Sequence, residues 1–152
     1  MKLDKIVVVC TGNICRSPMA EALLKSYIPN KEIYSAGLDV ANNDLQNQSP
    51  VEQAQLTASK YGLDISNHRA TQLTKNMVNE MDLILVMTQD QVDQIAIRFP
   101  GCAQKTMLIG QWGGVGYIQD PLNQDLVTFE HCFNQLKKAV ISWRDKLKAI
   151  SQ

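Results

Sequence analysis

Ile6-Val7-Val8-Val9-Cys10-Thr11-Gly12-Asn13-Ile14-Cys15-Arg16-Ser17-Pro18 is the stretch on which the reading of this chain turns. Four apolar residues in a row, three of them valine, suit a strand covered on both faces, as in a parallel sheet. Ser17 and Pro18 read as the N-cap and first position of a helix. The loop between them can aim successive backbone N–H groups at one point, with Gly12 permitting a tight turn. The following helix adds positive potential at its N-terminus. Arg16 offers a planar fork to two oxygens of an anion. The same field acts on Cys10. A free thiol titrates near ~8.5, and helix N-termini with nearby cations bring it to roughly 3.5–7.5. The stretch therefore reads as an oxyanion loop with a thiolate at its base. A nucleotide loop fits poorly, because no Gly-Lys-Ser/Thr sequence is present.

Working outward, strand and helix signals alternate. A helix is expected from Pro18 to Tyr27, and a second strand over Ile33 to Ala36, stopped by Gly37. A polar loop follows over residues 38 to 48. Ser49-Pro50-Val51-Glu52 reads as a capping box for a helix to Tyr61, with Gly62 as its C-terminal cap. Asp64 to Lys75 reads as irregular, with a helical turn near Thr74. Asp82 to Met87 predicts a third strand, and Thr88 caps a helix through Val92, Ile95 and Phe99. Thr106 to Ile109 predicts a fourth strand. Residues 110 to 124 form a long loop, which in a compact domain usually serves function. Leu126, Phe129, Phe133, Leu136, Val140, Trp143, Leu147 and Ile150 then mark one face of a C-terminal helix. The alternation predicts a three-layer α/β/α fold around a central four-stranded parallel sheet, as one domain over 1–152. Sites in such folds lie beyond the carboxyl ends of the strands, where the loop at Cys10 sits.

The bulk composition fits this picture. The 152 residues can bury a proper core, with 45% apolar and 20% charged side chains. Fifteen basic residues balance fifteen acidic ones, which argues against a broad nucleic-acid or membrane surface. Met1 to Lys5 holds too little apolar sequence for a signal peptide. No apolar run approaches the roughly 20 residues that span a bilayer. A cytoplasmic protein without membrane insertion is expected. The four cysteines, Cys10, Cys15, Cys102 and Cys132, are irregularly spaced and suggest neither a disulfide framework nor a metal site.

The stretch Val8 to Pro18, with Ala20-Glu21, Tyr34-Ser35-Ala36-Gly37, His68 and Asp120-Pro121 in that order, resembles the low-molecular-weight protein tyrosine phosphatases of bacterial type. The resemblance spans essentially the whole chain. It implies hydrolysis of phosphotyrosine on a protein substrate, without cofactor, through a phosphocysteine on Cys10. Arg16 would clamp the phosphate, and Thr11, Gly12, Asn13, Ile14, Cys15 and Ser17 would complete its loop. Asp120 is, on sequence alone, a turn residue before proline. By resemblance it is the general acid that protonates the leaving phenolate and then activates water. That pairing implies a rate optimum somewhat below neutral pH. Ser17 would stabilise the Cys10 sulfur, cap the helix, or do both. Asn13, Ser35 and His68 would support the loop. Cys15 is either a redox partner for Cys10 or a small apolar filler. Many relatives carry an aromatic after the Asp-Pro; here Leu122 stands there, so Leu38, Trp112, Tyr117 and Leu122 are the expected walls of the substrate slot. Arg69-Ala70 replaces the usual Ala-Arg after His68. A tyrosine autokinase controlling capsule or exopolysaccharide export is the substrate that the resemblance suggests.

Two other readings use the same loop. A thioredoxin-coupled arsenate reductase needs two further cysteines shortly after the third strand, and Val86 to Gln91 contains none. A non-catalytic phosphotyrosine-binding or anion-binding module needs Arg16 but neither Cys10 nor Asp120.

Overall fold

The computed structural model of the chain describes residues 3–151. Met1 and Lys2, which begin the stretch judged too short for a signal peptide, and Gln152 lie outside the described residues. In order, the elements are β1 (Lys5–Cys10), α1 (Arg16–Tyr27), β2 (Glu32–Gly37), α2 (Glu52–Lys60) and α3 (Lys75–Glu80). Then come β3 (Leu83–Val86), α4 (Gln89–Arg98), a 3-10 turn at Ala103–Lys105, β4 (Thr106–Leu108) and α5 (Leu126–Ser151). The four strands form one parallel sheet in the order β2-β1-β3-β4. Cys10 pairs with Gly37 on one side of β1, and Val9 with Val86 on the other.

Alternation along β1 divides the core in two. Ile6, Val8 and Cys10 face α1, α2 and α5, against Met19, Leu23, Ala58, Phe133 and Trp143. Val7 and Val9 face the other way, against Val78 of α3 and Ile95 of α4. This is the expected three-layer arrangement. The chain leaves β1 toward β2 on one side and later returns toward β3 on the other. The loop after Cys10 thus sits at the topological switch point, where neighbouring connections diverge and leave a crevice.

Two helix starts differ from expectation. The N-cap of α1 is Cys15, not Ser17, and no side chain caps that end. Ser17 lies within the first turn because its hydroxyl is engaged by Cys10 and Asn13 instead. Uncapped N–H groups at the start of α1 suit an anion there. The capping box at Ser49 does not form either. The N-cap of α2 is Val51, again without a side-chain cap. Val51 donates its own N–H to the Ile14 carbonyl at 3.0 Å, so that stretch supports the loop. Thr88 and Thr74 do cap α4 and α3, accepting from the Gln91 and Met77 N–H groups.

The long loop after β4 is folded back on itself. Gly116 donates to the Gly110 carbonyl at 2.8 Å. A Cβ at Gly110 would fall 1.9 Å from the Gly116 oxygen, so only glycine allows this closure. Ile118 then donates to Met87 at the end of β3 at 3.0 Å, and delivers the next residues to the carboxyl edge of the sheet.

Candidate active site

Cys10 ends β1, nearly buried, with its sulfur 3.0 Å from the Ser17 hydroxyl and 3.3 Å from the donating Asn13 N–H. Asn13, not Gly12, carries the left-handed backbone of the loop, at φ 56°. That geometry costs a residue with a Cβ about 1–2 kcal/mol, and asparagine tolerates it best. Here three side-chain hydrogen bonds, each contributing about 1 kcal/mol, offset the cost. Nδ2 donates to Ser17 Oγ at 2.7 Å and Ser35 Oγ at 3.1 Å, and Oδ1 accepts from the Thr71 N–H at 2.9 Å. The Asn13 carbonyl meets His68 Nε2 at 3.1 Å; since a carbonyl only accepts, that ring nitrogen carries a proton. Gly12 serves space instead. A Cβ there would touch Leu45 Cδ1 at 3.0 Å. Gly37 also lies under the loop, where a Cβ would fall 2.7 Å from the Thr11 carbonyl.

Glu21 of α1 anchors this support from below. It accepts from Ser35 Oγ, pairs with Lys25 at 2.7 Å and faces His68 Nδ1 at 3.5 Å. Burial pushes its carboxyl up, but the bonds from His68, Lys25 and Ser35 outweigh that and hold it down to about 2. On the opposite flank Gln91 of α4 donates to Thr11 Oγ1 at 3.3 Å and accepts from the Met87 N–H at 2.9 Å.

Arg16 is 4% exposed, and its Nη1 donates to the Ile118 carbonyl at 2.9 Å. Its Nη2 lies 3.7 Å from Asp120 Oδ2. Asp120 is half exposed and accepts from the Leu122 N–H at 3.0 Å, an Asx turn before the loop descends to α5. The structure therefore brings Cys10, Arg16 and Asp120 around one small cavity of about 80 Å³. Thr11, Gly12, Ile14 and Cys15 line it too.

Of the four side chains expected to wall the slot, Leu122 lines this cavity. Leu38 does not: it is 2% exposed, packed with Val7 and Val9 beneath the sheet end. Trp112 packs edge-on against Trp143, with Lys146 over its ring, away from the cavity. Tyr117 is half exposed and outside the lining. Asn43 and Leu45 provide the wall instead. Both lie in the polar loop after β2, where nothing local distinguishes them from surface residues. Arg69 is exposed, and its guanidinium donates to the Ser66 and His68 carbonyls.

All four cysteines are free thiols. Burial pushes the Cys15 thiol far up, with Cys10 and Asp120 adding to the effect and Arg16 opposing it. It stays protonated at neutral pH, which suits a packing role and makes it a slow thiol nucleophile. Burial likewise pushes Cys132 of α5 up to about 12. Cys102 packs in the α3–α4 layer, across the sheet from Cys10, so it offers no relay. A larger cavity of about 620 Å³ opens beside α1, between Lys25 and Leu63, and its lining includes Glu21, Ser26 and His68 but no cysteine and no arginine.

The model of the low molecular weight phosphotyrosine protein phosphatases matches residues 5–152 of the chain. A low molecular weight protein-tyrosine-phosphatase, Ptp, from Acinetobacter johnsonii is 39% identical over 143 residues, covering 94% of this chain and 97% of that protein. The structure of Wzb from Vibrio vulnificus in complex with benzylphosphonate superposes with a TM-score of 0.93 at 36% identity, covering 95% of this chain and 99% of that one. The YwlE arginine phosphatase of Geobacillus stearothermophilus superposes at 0.86 with 31% identity, covering 95% and 92%.

Proposed function

The chain belongs to the low molecular weight phosphotyrosine protein phosphatases, and we propose that it hydrolyses phosphotyrosine through a phosphocysteine on Cys10, as one catalytic domain over 1–152. The observation that carries the residue roles is the meeting of three groups at one cavity. The Cys10 sulfur lies between the Ser17 hydroxyl and the Asn13 N–H, facing Arg16 and Asp120.

In the first step the Cys10 thiolate attacks phosphorus in line. The P–S bond forms as the P–O bond to the phenol breaks. Asp120, protonated, gives its proton to the departing oxygen, so a neutral phenol leaves. Arg16 and the loop N–H groups hold the phosphoryl oxygens while charge redistributes over them. In the second step water attacks phosphorus, the Asp120 carboxylate takes its proton, and the P–S bond breaks. Ser17 and the Asn13 N–H stabilise the thiolate as it leaves. Catalysis thus needs Cys10 ionised while Asp120 is protonated, the basis for a rate optimum below neutral pH.

An aromatic leaving group suits the slot better than a guanidinium. Ile14, Leu45 and Leu122 are apolar, and the lining's one carboxylate, Asp120, faces Arg16. Hydrolysis of para-nitrophenyl phosphate tests the roles. Cys10→Ser should abolish turnover, and Asp120→Ala should lower kcat by about 10²-fold or more. Retained turnover in the first variant, or an unchanged kcat in the second, would move the role to another residue. Among the described residues no helix is long and apolar enough to cross a membrane. We take the site of action to be the cytoplasm and the substrate to be a tyrosine autokinase. Substrate trapping with Cys10→Ser in the native cell tests that partner, and recovery of other phosphotyrosine proteins without a kinase would refute it.

A further inference from the structure

The short segment Thr71 to Leu73 is fixed against the outer edge of β2. Gly37 donates to the Thr71 carbonyl at 2.9 Å, and Leu73 donates to the Gly37 carbonyl at 2.8 Å, forming an isolated parallel bridge. From this base the segment reaches in two directions. The Thr71 N–H binds Asn13 Oδ1 at 2.9 Å, within the phosphate loop. The Gln72 side chain binds the stem of the loop that carries Asn43 and Leu45. Its Oε1 accepts from the N–H groups of Val40 at 2.9 Å and Ala41 at 2.8 Å. Its Nε2 donates to the carbonyls of Leu38 at 2.8 Å and Leu73 at 3.2 Å.

One amide side chain thereby satisfies four backbone groups, three of them in the stem. The start of the stem is held by backbone, Leu38 and Asp39 donating to the Cys10 and Thr11 carbonyls at 3.0 and 2.9 Å, while Arg98 Nη1 also donates to the Leu38 carbonyl at 2.8 Å. Gln72 extends that hold to Val40 and Ala41. At the far end of that stem Leu45 leans over Gly12, and both border the cavity. The phosphate loop and the slot wall are thus registered to each other through Thr71 and Gln72, in addition to the direct backbone bonds of Leu38 and Asp39.

We propose that Gln72 is a positioning residue for substrate selection, setting the Asn43–Leu45 wall over the phosphate loop and so deciding which organic group attached to phosphate the slot accepts. This rests on the phosphatase reading of the loop. The phosphate itself is held by loop N–H groups and Arg16, which the Gln72 side chain does not touch. Losing Gln72 therefore weakens binding of the organic part and leaves binding of the inorganic part.

The test is calorimetric binding of benzylphosphonate, which the enzyme cannot hydrolyse, and of inorganic phosphate. Gln72→Met keeps the volume and removes the hydrogen bonds. It should weaken benzylphosphonate about tenfold, as expected for a net loss of one to two hydrogen bonds, and phosphate by less than about twofold. Gln72→Glu keeps the acceptor for Val40 and Ala41 and should fall between. It also carries the test by the same two ratios if the Met variant does not fold. In a Leu45→Ala background, where the wall is already gone, Gln72→Met should change benzylphosphonate affinity by less than about twofold. Parallel weakening of both ligands, no change in either, or full additivity with Leu45→Ala would overturn the proposal. Turnover of para-nitrophenyl phosphate by the unaltered enzyme reports separately: its absence would sink the phosphatase reading, while the binding ratios would still judge Gln72.

Discussion

Asn13 concentrates the geometry of the site in a single side chain. Its left-handed backbone turns its N–H toward the Cys10 sulfur, and its amide ties together Ser17, Ser35 and Thr71. Backbone conformation and side-chain bonding can be separated by experiment. Asn13→Gly keeps the left-handed turn and loses the amide, whereas Asn13→Ala loses both. Losing three hydrogen bonds at about 1 kcal/mol each predicts roughly a hundredfold fall in kcat/KM for the glycine variant and a larger fall for alanine. Equal activities would mean that the turn itself demands nothing special. Glu21 gives the loop a dependence on acid. Its folded-state carboxyl lies at about 2 against an ordinary 4.5, so its contribution to stability is full above about 4.5 and lost as pH falls toward 2. The expected size is of the order of 3 kcal/mol. Thermal unfolding of the unaltered protein and Glu21→Gln, compared from pH 6 to pH 2, checks this: the gap in Tm should close with acid. A gap independent of pH would remove the carboxylate from the account.

The helices show where local sequence speaks and where it does not. Thr74 and Thr88 cap their helices as their residue type suggests, because no tertiary partner competes for those hydroxyls. Ser17 and Ser49 have the same signature and cap nothing. In the first case the hydroxyl is taken by Cys10 and Asn13; in the second the Val51 N–H is taken by Ile14. Both exceptions border the anion loop, where long-range demands override capping. The apolar period of α5 was legible from Phe129 to Leu147, whose face is buried, but Leu126 and Ile150, expected on the same face, are 49% and 40% exposed near the helix ends. Phe133 on that face is fully buried and stacks on Tyr61 at the end of α2, with ring centroids 4.7 Å apart. Phe133→Ala should therefore cost about 3–5 kcal/mol in denaturant unfolding. A loss below 1 kcal/mol would mean that α2 and α5 repack freely around the missing ring.

At the scale of the whole molecule, alternation of strands and helices in the sequence foretold a parallel sheet, and the loop after β1 foretold its functional edge. Strand order, and the residues delivered from other connections, depend on crossovers that no local pattern records. Asp120 was legible only through the family resemblance, its proline alone marking a turn. Asn43 and Leu45 sit in a stretch that read as a polar loop, Gln72 in one that read as irregular, and Gln91 at the start of a helix, with nothing local to set them apart. The most consequential of these long-range meetings joins Arg16 of α1 to Asp120 in the loop after β4, at 3.7 Å. A carboxylate at that distance competes with a bound anion for the guanidinium. Asp120 is half exposed, so the competition is screened and modest. Asp120→Asn should therefore separate two functions. Turnover falls because no proton is delivered, while inorganic phosphate binds a few-fold more tightly because Arg16 is freed. The tighter binding should appear as a larger rise in Tm with added phosphate than in the unaltered protein, and the difference should shrink as salt is raised. Arg16→Ala, lacking the clamp, should show almost no such rise. If phosphate instead bound more weakly to Asp120→Asn, the carboxylate would be organising the site for the anion rather than competing with it.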